Sequence, residues 1–122
     1  MAAVTTCEYN NLPIIEDFTC RRGDDLCRPV HLMLNGDPVD LTGCTLTLYL
    51  TGQKPQPITP DAPTTGDWTL YLGPALTAGT EQGQINYAVV FVAPAQHPQF
   101  PQGATKTLRE GTINLSVTLP RS

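Results

Sequence analysis

Apolar and polar residues alternate with a period of two along several stretches of this chain, as they do in a β-strand with one buried face. The pattern is clearest at residues 45–51, where leucines at positions 46, 48 and 50 alternate with threonines and a tyrosine. No stretch of useful length has the period of a helix, and a helical turn is predicted only at Ala75–Gly79. The other predicted strands are Ile14–Cys20, Val30–Leu34, Trp68–Leu72, Gln84–Ala93 and Ile113–Leu119.

Turn-forming residues separate these strands. Asn35-Gly36 supplies the positive φ angles that a tight hairpin needs. Two proline-rich stretches, residues 52–66 and 94–103, cannot lie in the middle of a sheet and are predicted to be loops. Residues 1–13 have no periodicity and are interpreted as an extended N-terminal arm, followed by a single domain over residues 14–122. About seven short strands predict an all-β fold, an antiparallel immunoglobulin-like β-sandwich.

Composition limits the classes of partner. The 122 residues suit one domain, and the net charge of -4, with only seven lysines and arginines, argues against nucleic acid as a partner. The N-terminal residues lack the features of a secretory signal, and the longest apolar run, Tyr87–Pro94, is shorter than the roughly 20 residues that cross a bilayer. We therefore expect synthesis in a cytoplasm and no membrane partner.

The sequence nominates no catalytic, metal-binding or cofactor-binding residues. Serine occurs only at positions 116 and 122, and no nucleophile elbow or phosphate-binding loop is present. The two histidines, His31 and His97, have no second ligand at metal-binding spacing. We therefore predict a protein that is not an enzyme and that has no cofactor.

The four cysteines, Cys7, Cys20, Cys27 and Cys44, do not form a CxxC pair, which disfavours zinc. Without an export signal they are predicted to be free, partly buried thiols. If one disulfide forms, Cys20 with Cys27 is the natural pair, across a local chain reversal. Trp68 lies at an alternating position and is predicted to be a core residue rather than part of a sugar-binding platform.

A series of strand and turn residues resembles a known family. Arg22-Gly23-Asp24, which spells an integrin-binding tripeptide but is interpreted as an ordinary turn, follows the first strand. The stretch 35–43 (NGDPVDLTG), the strand opening at residues 83–87 (GQINY) and the strand opening at residues 110–115 (EGTINL) continue the series. Together they resemble the small immunoglobulin-like domains of tailed-bacteriophage structural proteins, in particular the N-terminal domain of siphophage upper baseplate proteins and related fibre-attachment domains.

This resemblance implies a virion structural protein, an assembly adaptor at the tail, baseplate or fibre base that binds other virion proteins and copies of itself, with a trimer favoured. It would be made in the host bacterial cytoplasm and reside on the tail or capsid surface of the virion. Two alternatives remain open: a head decoration protein and a carbohydrate-binding module. The candidate protein-contact residues are Ala2, Val4, Tyr9 and Leu12 in the arm, Pro57, Ile58 and Pro60 in the first loop, Val90 and Val92 on a strand, and Phe100 in the second loop.

Overall fold

Two β-sheets pack face to face in the computed structural model of the chain, which describes residues 5–21, 24–73 and 83–116. Within these ranges no α-helix is present, and two short 3-10 helices occupy Tyr9–Asn11 and Pro63–Thr65. The predicted all-β sandwich is confirmed. The strands are β1 (Thr5–Glu8), β2 (Ile14–Ile15), β3 (Phe18–Arg21), β4 (Leu26–Leu34), β5 (Asp37–Pro38), β6 (Thr45–Leu50), β7 (Gln56–Ile58), β8 (Asp67–Leu72), β9 (Gln84–Ala95) and β10 (Gln102–Ser116).

The smaller sheet is built around β4. Strand β1 pairs with one edge of β4, while β8 and β5 pair with successive stretches of it. The larger sheet has the order β2–β10–β9–β6–β7, with β3 pairing further along β10. Placing β4 and β8 in one sheet and β6, β9 and β10 in the other matches the division of strands in immunoglobulin domains.

The inward-facing residues of both sheets form one hydrophobic core. The three leucines of β6 are at most 5% exposed, which confirms the face predicted from their alternation. Trp68 is 1% exposed, so its predicted place in the core is also confirmed. Burial of such side chains contributes roughly 1.5–3 kcal/mol each, which makes this core the main source of stability.

The sheets are mixed, whereas the sequence predicted antiparallel pairing throughout. Strand β1 runs parallel to β4, and both β2 and β3 run parallel to β10. The first 21 residues thus supply strands to both sheets, and this crossing from one sheet to the other has no local sequence signal. Very short strands such as β2 and β5 also raise the total above the predicted seven, since two-residue pairings leave no periodic pattern.

The interpretation of residues 1–13 as an arm separate from the core is wrong for residues 5–12. Strand β1 pairs with β4 from Thr5 to Glu8, and Cys7 and Leu12 belong to the hydrophobic core. Four residues are too few to reveal alternation, and Cys7 acts here as a small apolar residue. Residues 1–4, and the helical turn predicted at 75–79, lie outside the described residues.

The turn chemistry agrees with the predicted hairpin and refines the two predicted loops. Asn35 and Gly36 have φ angles of 54° and 86° and connect β4 to β5. The first proline-rich stretch contributes the short edge strand β7, where proline is tolerated because one edge has no partner. In the second stretch β9 extends to residue 95 and β10 begins at residue 102, so the connection is short.

Candidate functional site

The solvent-facing side of the larger sheet is the candidate site. Paired residues place Ile15 beside Glu110, Glu110 beside Ala88, and Ala88 beside Tyr49, which gives one row across β2, β10, β9 and β6. Rows on either side follow the same register. We call this surface the outer sheet face; its members are Ile15, Thr45, Thr47, Tyr49, Asn86, Ala88, Val90, Val92, Thr105, Thr107, Glu110 and Thr112.

Exposed apolar side chains concentrate on the outer sheet face. In the described ranges four large hydrophobic residues are notably exposed, and three of them lie here: Ile15 (72%), Tyr49 (46%) and Val92 (40%). The fourth, Tyr71 (50%), lies on the smaller sheet. Among these members Glu110 is the only charged one, and the exposed Arg21 of β3 lies farther along the same side of the sheet. The surface that the members form is apolar and weakly charged, the composition of a protein-contact region.

A groove of about 630 Å³ crosses this face. The small side chain of Ala88 lies in the same row as the larger side chains of Tyr49 and Ile15, and this difference in size leaves the depression. The acidic residues Asp17 and Glu110 also line the groove. None of the described lysines and arginines lines it, so the groove combines apolar walls with negative charge.

Hydrogen bonds donated by backbone amides hold the Ile15 side of the groove against β10. The Glu16 amide donates to the Glu110 carbonyl over 3.0 Å, and the Thr112 amide donates to Asp17 Oδ1 over 2.9 Å. The segment at Glu16 approaches β10 so closely because residue 111 is glycine. A Cβ at this position would lie 2.2 Å from the Glu16 carbonyl oxygen. The groove is therefore a preformed feature of the sheet edge.

Beneath this edge, an ion network joins the two sheets. Glu16 accepts from the guanidinium of Arg109 through Oε1, and its Oε2 lies 3.1 Å from Nη2 of Arg28. Arg109 is 2% exposed and belongs to β10, whereas Arg28 belongs to β4 of the smaller sheet. The Tyr87 hydroxyl donates to the Glu16 carbonyl over 2.7 Å, and burial raises the pKa of Tyr87 to about 12. Glu16 thus fixes the β2–β3 junction to both sheets.

The other polar clusters have structural partners. His31 Nδ1 lies 2.7 Å from Asp67 Oδ1, and the Thr65 hydroxyl donates to Asp67 Oδ2 over 2.7 Å. These contacts, the Thr65 hydrogen bond above all, hold the pKa of Asp67 below its ordinary value. In the described ranges no group of three or more His, Cys, Asp or Glu residues could hold a metal ion.

His97 is buried and fixes the β9–β10 connection. The Gln99 amide donates to His97 Nδ1 over 3.0 Å, which leaves Nε2 to donate to the Asp40 carbonyl over 2.6 Å. The Gln99 side chain adds a bond from its Nε2 to the Pro38 carbonyl, over 2.9 Å. This connection is therefore attached to the segment after β5 and is not a free loop.

All four cysteines are free thiols: Cys7 and Cys20 are buried, Cys44 is half-buried and Cys27 is exposed. Burial raises the pKa of Cys7, Cys20 and Cys44. Their thiols are therefore protonated at neutral pH, and a protonated thiol is a poor nucleophile. These three residues serve packing.

The predicted contact residues are placed in different environments. Val90 and Val92 lie on the outer sheet face, and Pro57 is exposed on the neighbouring strand β7. Ile58 and Pro60 are half-buried. Ala2 and Val4 lie outside the described residues.

Leu12 and Phe100 are buried, whereas their predicted contact role assumed that they are exposed. They are 8% and 9% exposed and belong to the hydrophobic core. Tyr9 is half-buried, with its ring centroid 4.9 Å from that of Phe100, and it carries the Lys106 ammonium over its face. Apolar residues in the aperiodic N-terminal stretch and in the second proline-rich stretch are predicted to be exposed. In the structure both stretches fold back over the core.

The groove residues were missed by the sequence reasoning. Tyr49 was placed on the outer side of its strand by alternation, but nothing local distinguishes it from the threonines around it. Ile15 and Glu110 meet only through the parallel pairing of β2 with β10. The exposed aromatic residues in the described ranges, Tyr49 and Tyr71, lie on opposite sheets, so they do not form one sugar-binding platform.

Together these features define the class of the molecule: an immunoglobulin-like β-sandwich whose exposed apolar surface lies mainly on one sheet. No protein-family model matches the sequence, and no curated protein matches it. Among solved structures the fold is similar to the N-terminal domain of phage TP901-1 ORF48, with a TM-score of 0.58 and 12% identity. The match covers 93% of this chain and 96% of that chain. The fold implied by the strand and turn series is therefore confirmed. No helix in the described part of the chain is long and apolar enough to cross a membrane.

Proposed function

We propose that this chain is a structural domain of a tailed-phage particle, an assembly adaptor at the tail or baseplate with no catalytic activity. The observation that carries the proposal is the likeness of fold, over 93% of the chain, to an N-terminal domain of a phage protein. The strand and turn residues that resemble phage baseplate and fibre-attachment domains support the same class. The protein is made in the host cytoplasm and resides in the virion.

The outer sheet face is the docking surface in this proposal. Its side chains stand on paired strands whose backbone is already ordered. Binding a partner therefore loses little backbone entropy, and little of the favourable contact energy is offset. Val92, Tyr49 and Ile15 supply exposed apolar area, and the threonines between them supply β-branched side chains with little conformational freedom. Such a surface suits a rigid partner better than a mobile one.

Copies of the chain are also proposed partners, with a trimer favoured. Each copy carries a net charge of -4, so contact between copies is least opposed where charge is absent. The rows that contain Val90 and Val92 pair with threonines on both sides and include no charged member. This half of the outer sheet face supports contact between like-charged copies.

Two exposed tyrosines offer a matched test of the docking surface. Tyr49 and Tyr71 are 46% and 50% exposed and lie on opposite sheets. The chain is co-expressed with the products of its neighbouring genes and the complexes are weighed by native mass spectrometry. Tyr49→Lys should abolish the complex and Tyr71→Lys should preserve it. Loss of the complex with Tyr71→Lys alone, or a wild-type chain that binds no virion protein, contradicts the proposal.

A further inference from the structure

The groove on the outer sheet face contains a carboxylate that has no partner among the described residues. Glu110 is half-buried, and its side chain makes no hydrogen bond or ion pair with any residue in the described ranges. Nearby, Asp17 uses Oδ1 to accept the Thr112 amide. Two acidic residues therefore line one depression that no described lysine or arginine lines.

These charges restrict what can occupy the groove. A purely apolar occupant would remove water from Glu110 and Asp17 without replacing it, and leaving a desolvated charge unpaired is unfavourable. An acidic occupant would add repulsion. A cation satisfies the carboxylates, so the charge of the groove selects a basic group.

The walls of the groove select the rest of that group. Ile15 and Tyr49 offer apolar surface at the two ends of the row, with Glu110 and the small Ala88 between them. Lysine and arginine side chains bury their methylene stems on apolar surface while their charged ends stay among polar groups. The Tyr49 ring adds an aromatic face, which attracts cations within about 6 Å.

Within the described ranges a second copy of the chain offers few free cations. In the described ranges Arg109 is buried, Arg28 pairs with Glu16, and Lys106 lies over an aromatic ring. Arg21 and Lys54 are exposed there, but each copy carries a net charge of -4, which opposes contact between copies at an acidic groove. The complementary group is better supplied by a different protein.

We propose that this groove receives a lysine or arginine side chain from a partner protein, with its stem between Ile15 and Tyr49 and its charge at Glu110 and Asp17. The side chain projects from an extended or otherwise rigid segment that lies on the sheet. This inference rests on the proposed docking function and adds the chemistry of the partner: a basic residue among apolar ones.

Capped tripeptides test the groove directly on the purified, isotope-labelled chain. Val-Lys-Val should shift the amide resonances of Ala88, Gly111 and Thr112 with a Kd of about 1–10 mM. Val-Glu-Val and Val-norleucine-Val, which lack the cation, should not. Equal shifts with all three peptides, or none at about 20 mM Val-Lys-Val, overturn the inference.

Variants separate the carboxylate from the cavity. Glu110→Gln should weaken Val-Lys-Val binding about threefold, the effect of one partly exposed ion pair. Ala88→Leu, whose larger side chain would fill the groove from its floor, should abolish binding, and Tyr71→Thr, on the smaller sheet, should leave it unchanged. Unchanged affinity in both Glu110→Gln and Ala88→Leu places the peptide elsewhere and rejects the proposed site.

Two further results distinguish this inference from the docking function. If the chain is absent from particles but Val-Lys-Val binds as described, the virion role fails and the groove stands. If Tyr49→Lys disrupts a virion complex but no lysine peptide binds, only the groove inference fails. Sedimentation of wild type and Glu110→Gln is the last measurement: a change of oligomeric state would assign the groove to a second copy and overturn the inference.

Discussion

Replacing Glu16 by glutamine tests the account of how the two sheets are joined. Glu16 is the carboxylate shared by Arg109 of the larger sheet and Arg28 of the smaller one. The substitution keeps the size of the side chain and removes its charge. Arg109 is 2% exposed and would be left as a buried cation without an anion.

The expected loss of stability follows from the burial of the partners. Removing one partner of a buried ion pair costs about 3–5 kcal/mol, whereas an exposed pair contributes about 0–1 kcal/mol. Arg109 is the buried partner of this ion pair, but the Glu16 side chain is 29% exposed. Water can therefore reach the pair and reduce the cost of leaving Arg109 without its carboxylate. We expect Glu16→Gln to lower the free energy of unfolding by about 3 kcal/mol.

Urea unfolding followed by tryptophan fluorescence measures this loss, since Trp68 is a core residue. With a slope of about 1.5 kcal/mol per molar urea, the midpoint should fall by about 2 M. Glu110→Gln is the matched control: it removes the same charge at a carboxylate with no ion pair in the described ranges, and should change stability by less than about 0.5 kcal/mol. Adding Arg109→Met to Glu16→Gln should recover about 2 kcal/mol, because an apolar residue then replaces the uncompensated cation.

A midpoint for Glu16→Gln within about 0.5 M of wild type would refute this reasoning, because Arg109 would then be satisfied without the carboxylate. A double variant less stable than Glu16→Gln would do the same. It would show that Arg109 stabilises the core through its packing rather than through its charge.

Three further substitutions test separate contacts. Gly111→Ala should destabilise by at least about 2 kcal/mol, because its Cβ would overlap the Glu16 carbonyl, while Gly83→Ala, with no atom within 4 Å, should be neutral in the same urea titration. Burial raises the pKa of Tyr87 from 10.0 to about 12, so the contribution of Tyr87 to stability is complete below pH 10 and declines as pH rises toward 12. The free energy of unfolding measured at these two pH values should fall less in Tyr87→Phe than in wild type, by on the order of 2 kcal/mol. Backbone amides of the β4–β5 turn lower the pKa of Glu8 below 4.5, so the stability that the Glu8 carboxylate contributes is present above pH 4.5 and lost as pH falls further. Glu8→Gln should therefore lower the melting temperature at pH 7 but not at pH 3. An equal effect at both pH values would contradict this role of the Glu8 carboxylate.

The strands that were predicted correctly are those whose burial repeats locally. In β6 and β8 every second residue faces the core, so alternation over six residues is sufficient. The Asn-Gly turn was equally local, because it depends on the φ angles of two residues. The sandwich class follows from such elements without knowledge of their pairing.

The parallel pairs and the groove depend on contacts distant in sequence. Strand β1 pairs with residues 25 positions away, and β2 meets β10 across 95 positions. The row from Ile15 to Tyr49 exists only once four strands have their register, and a shift of one residue would turn each of these side chains to the other face. Local patterns carry no information on that register, which explains why Leu12 was interpreted as exposed and Glu110 was overlooked.

The composition of purified particles tests the central claim most directly. Quantitative mass spectrometry of tailed-phage particles made from the genome that encodes this chain should find it in a constant ratio to the known tail proteins, after washing in high salt. Particles that contain no copies, although the chain is abundant in the lysate that produced them, would contradict the claim that it is a structural part of the virion.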